Sequence, residues 1–270
     1  MMKADLALKS PEYDKGTLHV SRDLADQTQS IQGAICSKYG DEYPVLDSII
    51  DLLKDEHAKY SLAEWSNQFN LTAAVYEDLW RVNSLKLITG EPFNVEQELA
   101  LLMEWIKPTE DQCIVDIGSS TALYARAIAK ACPEATITAL DFSMPMLKEA
   151  KRRIAKESQS IYLIRVNVSE MPFFNSEVDT IVCGGSLNEF SDPLKVLFEC
   201  KRVLKKKGQL FMMHLLSAET MIGRLLQSAA SNGGLQFWSL KDSNALFERA
   251  GFNVDKQMVK GVVCFSLLKA

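Results

Sequence analysis

The 270-residue chain is 47% apolar and 24% charged, the balance of an ordinary globular protein of one large domain or a domain with an appendage. A net charge of −5 leaves no electrostatic footprint for nucleic acid. The six cysteines, with no C-x-x-C pair, argue against a disulfide scaffold and make the cytoplasm the default; the start lacks an apolar signal core, and no stretch approaches the ~20 apolar residues of a membrane span.

Residues 1–60 read as a small, irregular module. Short strands are expected over Thr17–Val20 and Gln32–Ser37, and the apolar run Tyr43–Leu53 breaks into helix or strand after Pro44. Residues 61–92 carry helical spacings, Leu62, Trp65, Phe69 and then Val75, Leu79, Trp80, and read as a helical lid or linker. Asn94–Ile106 is predicted as a helix, with Asn94 as its cap, Gln97 three positions on and Pro108 ending the pattern.

The run Cys113–Ala129 is the most informative stretch. A short apolar strand, Cys113–Ile117, holds Asp116; small residues Gly118–Thr121 follow; then comes a helical pattern with Leu123, Ala127 and Ile128 on one side. A second strand, Thr136–Leu140, ends in Asp141. Parallel sheets bind ligands beyond the carboxyl ends of their strands, and both aspartates are placed to reach into that crevice. A pyrophosphate would demand glycine where Ser120 and Ala122 stand, so an adenosine ligand without one fits better than a dinucleotide.

Further on, Met144–Lys156 is helical, Ile161–Val166 is a third strand followed by Asn167, and Val178–Cys183 is a fourth, followed by Gly184–Phe190. Pro193–Leu204 reads as a helix capped by Asp192. Lys201, Arg202 and Lys205–Lys207 read as its solvated, cationic end. Gln209–His214 is a fifth strand. Met221, Leu225 and Ala229 fall on one face of an amphipathic helix, and a loop follows at Ser231–Gly234. Ser239–Ala250 is a helix ended by Gly251. Phe252–Met258 and Val262–Leu268 form a closing hairpin.

The motifs Asp116-Ile-Gly118-Ser-Ser120-Thr-Ala122, Asp141-Phe-Ser143, Asn167-Val-Ser-Glu-Met-Pro172, Val178-Asp-Thr-Ile-Val182 and Arg202-Val-Leu-Lys-Lys-Lys-Gly208 resemble, in order and spacing, those of class I S-adenosylmethionine (SAM)-dependent methyltransferases. Two motif glycines are replaced, and the resemblance covers residues 93–270. It implies an α/β fold: a Rossmann-like, seven-stranded, mostly parallel sheet with helices on both faces, plus the small N-terminal appendage and a helical cap. It implies SAM as substrate, with no metal, held by Asp116, Gly118, Ser119, Ser120, Asp141, Phe142, Met146, Asn167, Val168, Gly184 and Ser186. The segment after the fifth strand, where Met221 and Leu225 lie, would cap the acceptor pocket.

Candidate residues facing the methyl group are Tyr76, Asn188, Glu189 and His214. Tyr76 would add an aromatic face near the sulfonium, where cation–π attraction is worth about 0.5–2 kcal/mol; it and Trp80 equally fit packing on the core. Asn188 stands where many members carry His, which removes the obvious general base. Residues 1–60 also resemble a short zinc-ribbon module that precedes some methyltransferase domains, but three ligand positions would be Val20, Asp23 and Tyr39, with only Cys36 retained, so no metal is expected. His19 and His57 read as ordinary side chains.

The function implied is methyl transfer to a small molecule, with no membrane partner and an oligomeric state that the sequence leaves open. Alternatives are a SAM-consuming enzyme that cyclises the aminobutyryl arm and releases methylthioadenosine, a ribosomal-RNA methyltransferase, and a non-catalytic SAM-binding module.

Overall fold

The computed structural model describes residues 6–11, 16–53, 93–232 and 234–270; the segment 61–92, with Tyr76, lies outside them. Seven strands form the centre: β6 (Cys113–Ile117), β7 (Thr136–Asp141), β8 (Tyr162–Arg165), β9 (Val178–Gly184), β10 (Leu204–Leu215), β11 (Asn253–Lys260) and β12 (Val263–Lys269). They run in the order β11-β12-β10-β9-β6-β7-β8. The β6–β7, β7–β8, β6–β9 and β9–β10 pairs are parallel, and β12 is antiparallel to both of its neighbours. The chain's direction of travel across the sheet reverses at β6, between β7 and β9, and that is where such sheets open a ligand crevice.

The strands are apolar because both faces are covered. On one face Ile114, Ile137, Ala139, Leu163 and Phe211 pack against α1 (Val95–Ile106), α2 (Leu123–Ala131) and α3 (Met144–Lys156). On the other, Val115, Leu140, Ile164 and Met212 pack with α4 (Pro193–Val203) and α6 (Leu240–Arg249). The helix starts follow local chemistry. Asn94 and Gln97 form a reciprocal capping box at α1, and Asp192 accepts from the Lys195 amide (3.0 Å) ahead of Pro193 at α4.

The sheet does not stop at seven strands. The run Tyr43–Leu53 becomes β4 (Glu42–Leu46) and β5 (Ile49–Asp51), joined by a two-residue turn in which Asp47 and Ser48 both have positive φ (56° and 63°). With β3 (Gly33–Cys36) they extend the sheet to ten strands, and β5 lies parallel on β8. The expected count of seven thus falls short, because the open edge of β8 is a template for pairing and this run covers it. A separate hairpin, β1 (Leu6–Lys9) and β2 (Thr17–Val20), buries Leu6, Leu8, Leu18 and Val20 in the same core cluster as α4 and α6.

One helix leaves its apolar side uncovered. The amphipathic pattern at Met221 does form α5 (Met221–Ser231), but no residue in it is buried, and Met221, Ile222, Leu225 and Leu226 are 66–86% exposed. Its polar side holds it down. Gln227 accepts from the Ala218 amide (2.7 Å) and donates to the Leu216 carbonyl (2.8 Å), while Arg224 donates to the carbonyls of Ala218 and Glu219. Among the described residues, no helix is long and apolar enough to cross a membrane.

Candidate active site

The loop that leaves β6 is shaped by three left-handed residues in alternation: Gly118 (φ 57°), Ser120 (φ 51°) and Ala122 (φ 59°). The two replaced glycines therefore keep a glycine-like backbone, although a side chain there costs about 1 kcal/mol or more. Ala122 recovers part of this by burying its methyl group completely in the core beside α2. The side chain of Ser120, half-buried, places its hydroxyl 3.4 Å from the Met146 sulfur. Ser120→Gly is accordingly expected to stabilise the protein by about 0.5–1 kcal/mol in urea unfolding; a loss of stability would show that the loop is not strained at that residue.

Gly118 is needed for a second reason. A Cβ there would lie 2.5 Å from the Ser186 hydroxyl oxygen. That hydroxyl donates to the Gly118 carbonyl at 3.0 Å, so the loops after β6 and β9 touch at this point. Gly184, which ends β9, and Ser186 are both half-buried. Next to Gly118, the buried Ser119 hydroxyl has no hydrogen-bond partner among the described residues.

The two aspartates divide the work. Asp116 turns toward the first turn of α2, where its carboxylate accepts from the Ala125 amide at 3.1 Å; a helix N-terminus favours that charge. It ties β6 to α2 and supports the loop from beneath. Asp141, at the end of β7, accepts from the Ser120 amide (2.7 Å) and the Ser143 amide (2.8 Å). Burial nevertheless pushes its pKa up to about 6, against the pull of those amides and that of Phe142. A buried carboxylate with acceptor capacity to spare is suited to neutral donors such as a ribose diol.

Met146 is buried under this loop and donates its amide to the Ser143 hydroxyl at 3.4 Å. Val168 is buried, and Asn167 is exposed. The Asn167 carbonyl oxygen, expected to meet an adenine amino group, accepts from the Ser169 amide at 3.0 Å and caps a short turn. The left-handed loop, the buried Ser119 hydroxyl and the acidic end of β7 fit SAM.

Two of the proposed catalytic residues face elsewhere. Asn188 is 1% exposed, and its amide group is spent on backbone: Nδ2 donates to the carbonyls of Leu215 (2.9 Å) and Gln236 (2.6 Å), and Oδ1 accepts from the Leu215 amide (2.7 Å). It clamps the end of β10 to the loop before α6. Asn188→Ala is expected to lower stability by about 2–3 kcal/mol, with SAM affinity measured on the folded fraction unchanged. An affinity loss without a stability loss would return Asn188 to the site.

His214 is fully buried on the α4/α6 side of the sheet, edge-on to Phe247 with 5.6 Å between ring centroids. It shares that face with Met212, so it belongs to the core rather than to the crevice. Neither ring nitrogen has a partner among the described residues, and burial drives its pKa down to about 4. Glu189, half-buried on the loop after β9, is the candidate left among the described residues.

The residues of the zinc-ribbon resemblance are also apart from any ligand set. Val20 is buried in the hairpin core, Asp23 sits in a short helical turn capped by Ser21, and Tyr39 is exposed. Among the described residues, no group of three or more His, Cys, Asp or Glu is placed to hold a metal ion.

Sequence reasoning did not find the Gly118–Ser186 contact or the Asn188 clamp. The first had a signal, glycine at the first motif position; the second depends on partners 27 and 48 residues away.

Residues 115–212 match a family described as a methyltransferase domain. A demethylmenaquinone methyltransferase of Thermotoga maritima is 33% identical over 119 residues, 44% of this chain and 50% of that protein. An uncharacterised chloroplastic methyltransferase of Arabidopsis thaliana is 26% identical over 186 residues, 65% of this chain and 52% of that one. The chain thus spans about half the length of these curated relatives. Among solved structures, a SAM-dependent methyltransferase from Aquifex aeolicus superposes with a TM-score of 0.53 at 20% identity, over 64% of this chain and 88% of that one. A Haemonchus contortus phosphoethanolamine N-methyltransferase in complex with SAM gives 0.58 at 18% identity, over 80% and 48%. These likenesses show the fold.

Proposed function

We propose that this chain, which carries a class I SAM-dependent methyltransferase domain, transfers the sulfonium methyl group of SAM to a small-molecule acceptor. The observation that carries the reading is the loop Gly118–Ala122, held in glycine-like conformations against Asp141 at the reversal point of the sheet. SAM supplies its own activation: the acceptor's electron pair forms a bond to the methyl carbon as the carbon–sulfur bond breaks, and the sulfur leaves as the neutral thioether of S-adenosylhomocysteine.

The protein's part is chiefly to orient the two reactants, which in model reactions supplies on the order of 7–11 kcal/mol. Asp141, oriented by the Ser120 amide, holds the ribose side, and the loop from Gly184 to Ser186 closes on Gly118 at the methionine side. With Asn188 and His214 outside the crevice, Glu189 is the remaining candidate among the described residues for taking a departing proton. An acceptor that needs little deprotonation, an amine or an activated carbon, suits this sparse equipment. The demethylmenaquinone methyltransferases among the relatives support a small, largely apolar acceptor. The acidic balance argues against nucleic acid. The cysteine pattern suits the cytoplasm, and equally the plastid interior suggested by the relatives named chloroplastic.

The test is incubation of the purified protein with methyl-labelled SAM and quinol or amine acceptors, with Asp141→Ala as the control. Label in the acceptor, with S-adenosylhomocysteine released in equal amount, is the expected result. Methylthioadenosine in its place would overturn methyl transfer.

A further inference from the structure

The strand registers put three charged side chains in one row at the carboxyl edge of the sheet. Asp51 of β5 pairs with Arg165 of β8, and Arg165 pairs with Asp141 of β7. Residues paired in this way across neighbouring strands point to the same face. The Arg165 guanidinium forms an ion pair with Asp51 at 2.9 Å and, through Nε, donates to the Phe142 carbonyl at 3.0 Å. The pair is well sheltered, with 20% and 9% of the two side chains exposed. The backbone closes the same corner: the Val166 amide donates to the Asp141 carbonyl, and the Leu52 amide to the Arg165 carbonyl.

We propose that Arg165, oriented by Asp51, is a positioning residue for SAM, and that the N-terminal strands are thereby part of the cofactor site. This rests on the reading of Asp141 as the ribose ligand. Phe142 follows Asp141 where β7 has ended, and its carbonyl accepts from the Arg165 guanidinium. A planar guanidinium can serve two acceptors from one rigid fork, here a carboxylate on one side and the carbonyl on the other. The peptide that carries Phe142, and with it the direction of the Asp141 carboxylate, is then set by a residue that itself needs an anchor. Asp51 is the anchor, and it comes from a strand outside the seven-stranded centre.

A second ion pair joins the same module to the core without approaching the crevice. Lys151 of α3 meets Asp47 at 2.5 Å and donates to the Gln29 carbonyl at 2.7 Å. It separates a positioning role from simple attachment of the module.

The experiment is calorimetric titration of the full chain with SAM and with S-adenosylhomocysteine, alongside thermal unfolding, for Arg165→Met, Arg165→Lys, Asp51→Asn, the double variant Asp51→Asn/Arg165→Met, Lys151→Met and Asp141→Ala. Arg165→Met is expected to raise Kd roughly tenfold, Arg165→Lys and Asp51→Asn to raise it less, and the double variant to be no worse than Arg165→Met alone. Lys151→Met is expected to lower Tm and leave Kd unchanged. Should Arg165→Met not fold, Arg165→Lys and Asp51→Asn carry the comparison. Kd within twofold of the parent for the Arg165 variants, or an equal rise in Lys151→Met, would overturn the positioning role. Undiminished binding by Asp141→Ala would instead overturn the ribose assignment itself.

Discussion

SAM affinity is expected to be level above pH 6 and to fall about tenfold for each pH unit below it, and Asp141→Asn is expected to abolish that slope. The reason lies in the two states of one carboxyl. With its pKa raised by burial to about 6, Asp141 is ionised at neutral pH and becomes protonated on mild acidification. Only the ionised form offers acceptors on both oxygens to a ribose diol, so the bound state prefers it and binding releases a proton near pH 6. Asp141→Asn keeps the size but loses the charge. It is expected to bind SAM at least tenfold more weakly at pH 7.5 and to show no change between pH 7.5 and 5.5. Titration calorimetry in two buffers of different ionisation enthalpy counts the proton directly. A parent protein whose affinity does not change across this range would separate Asp141 from the ligand.

The second large effect concerns stability, where His214 and Asp141 act in opposite directions. For His214, burial without a partner lowers the folded pKa to about 4 from 6.5. The unfolded chain then binds the extra proton between those values. Its stability contribution is complete above pH 6.5 and is lost as pH falls toward 4, in total on the order of 3 kcal/mol. For Asp141 the folded pKa is raised, to about 6 from 3.8, so the folded state binds the extra proton. Stability is therefore gained as pH falls from 6 to 3.8, again on the order of 3 kcal/mol. Over the shared window the two nearly cancel. His214→Leu removes one arm, and relative to the parent it is expected to gain about 2 kcal/mol in urea unfolding at pH 5 over its standing at pH 7. Asp141→Asn is expected to show the opposite difference, losing about 1–2 kcal/mol relative to the parent between the same two pH values. Parallel curves for parent and His214→Leu would mean that the imidazole is not held neutral in the core.

Much of this architecture is legible from the sequence because its signals are local. The Asn94–Gln97 box, the Asp192–Pro193 start and the small residues after Ile117 each specify a backbone shape within a few positions, and each is found as expected. What was not legible depends on which neighbour a residue meets. Leu210–Met213 are all buried, so that stretch of β10 has no polar alternation to say which face His214 takes. The helical period at Met221 is real, but periodicity gives a helix an apolar side without saying where that side points; polar contacts from Gln227 and Arg224 decided it. Ser120 and Ala122 look like lost glycines in sequence, while the backbone they adopt keeps the motif's form. The run Tyr43–Leu53 could be read as helix or strand until the vacant edge of β8 was known.

The way β5 closes on β8 also sets an order of events during synthesis. Asp51 and its partner Arg165 are 114 residues apart in the chain. The strands that leave the ribosome early thus have no place in the main sheet until the chain has been made through β8. Closing so long a loop is slow, and until it closes the edges of β3–β5 are open to pairing with other chains. These strands of the sheet must therefore wait for their partner on a nascent chain, with their edges open in the meantime.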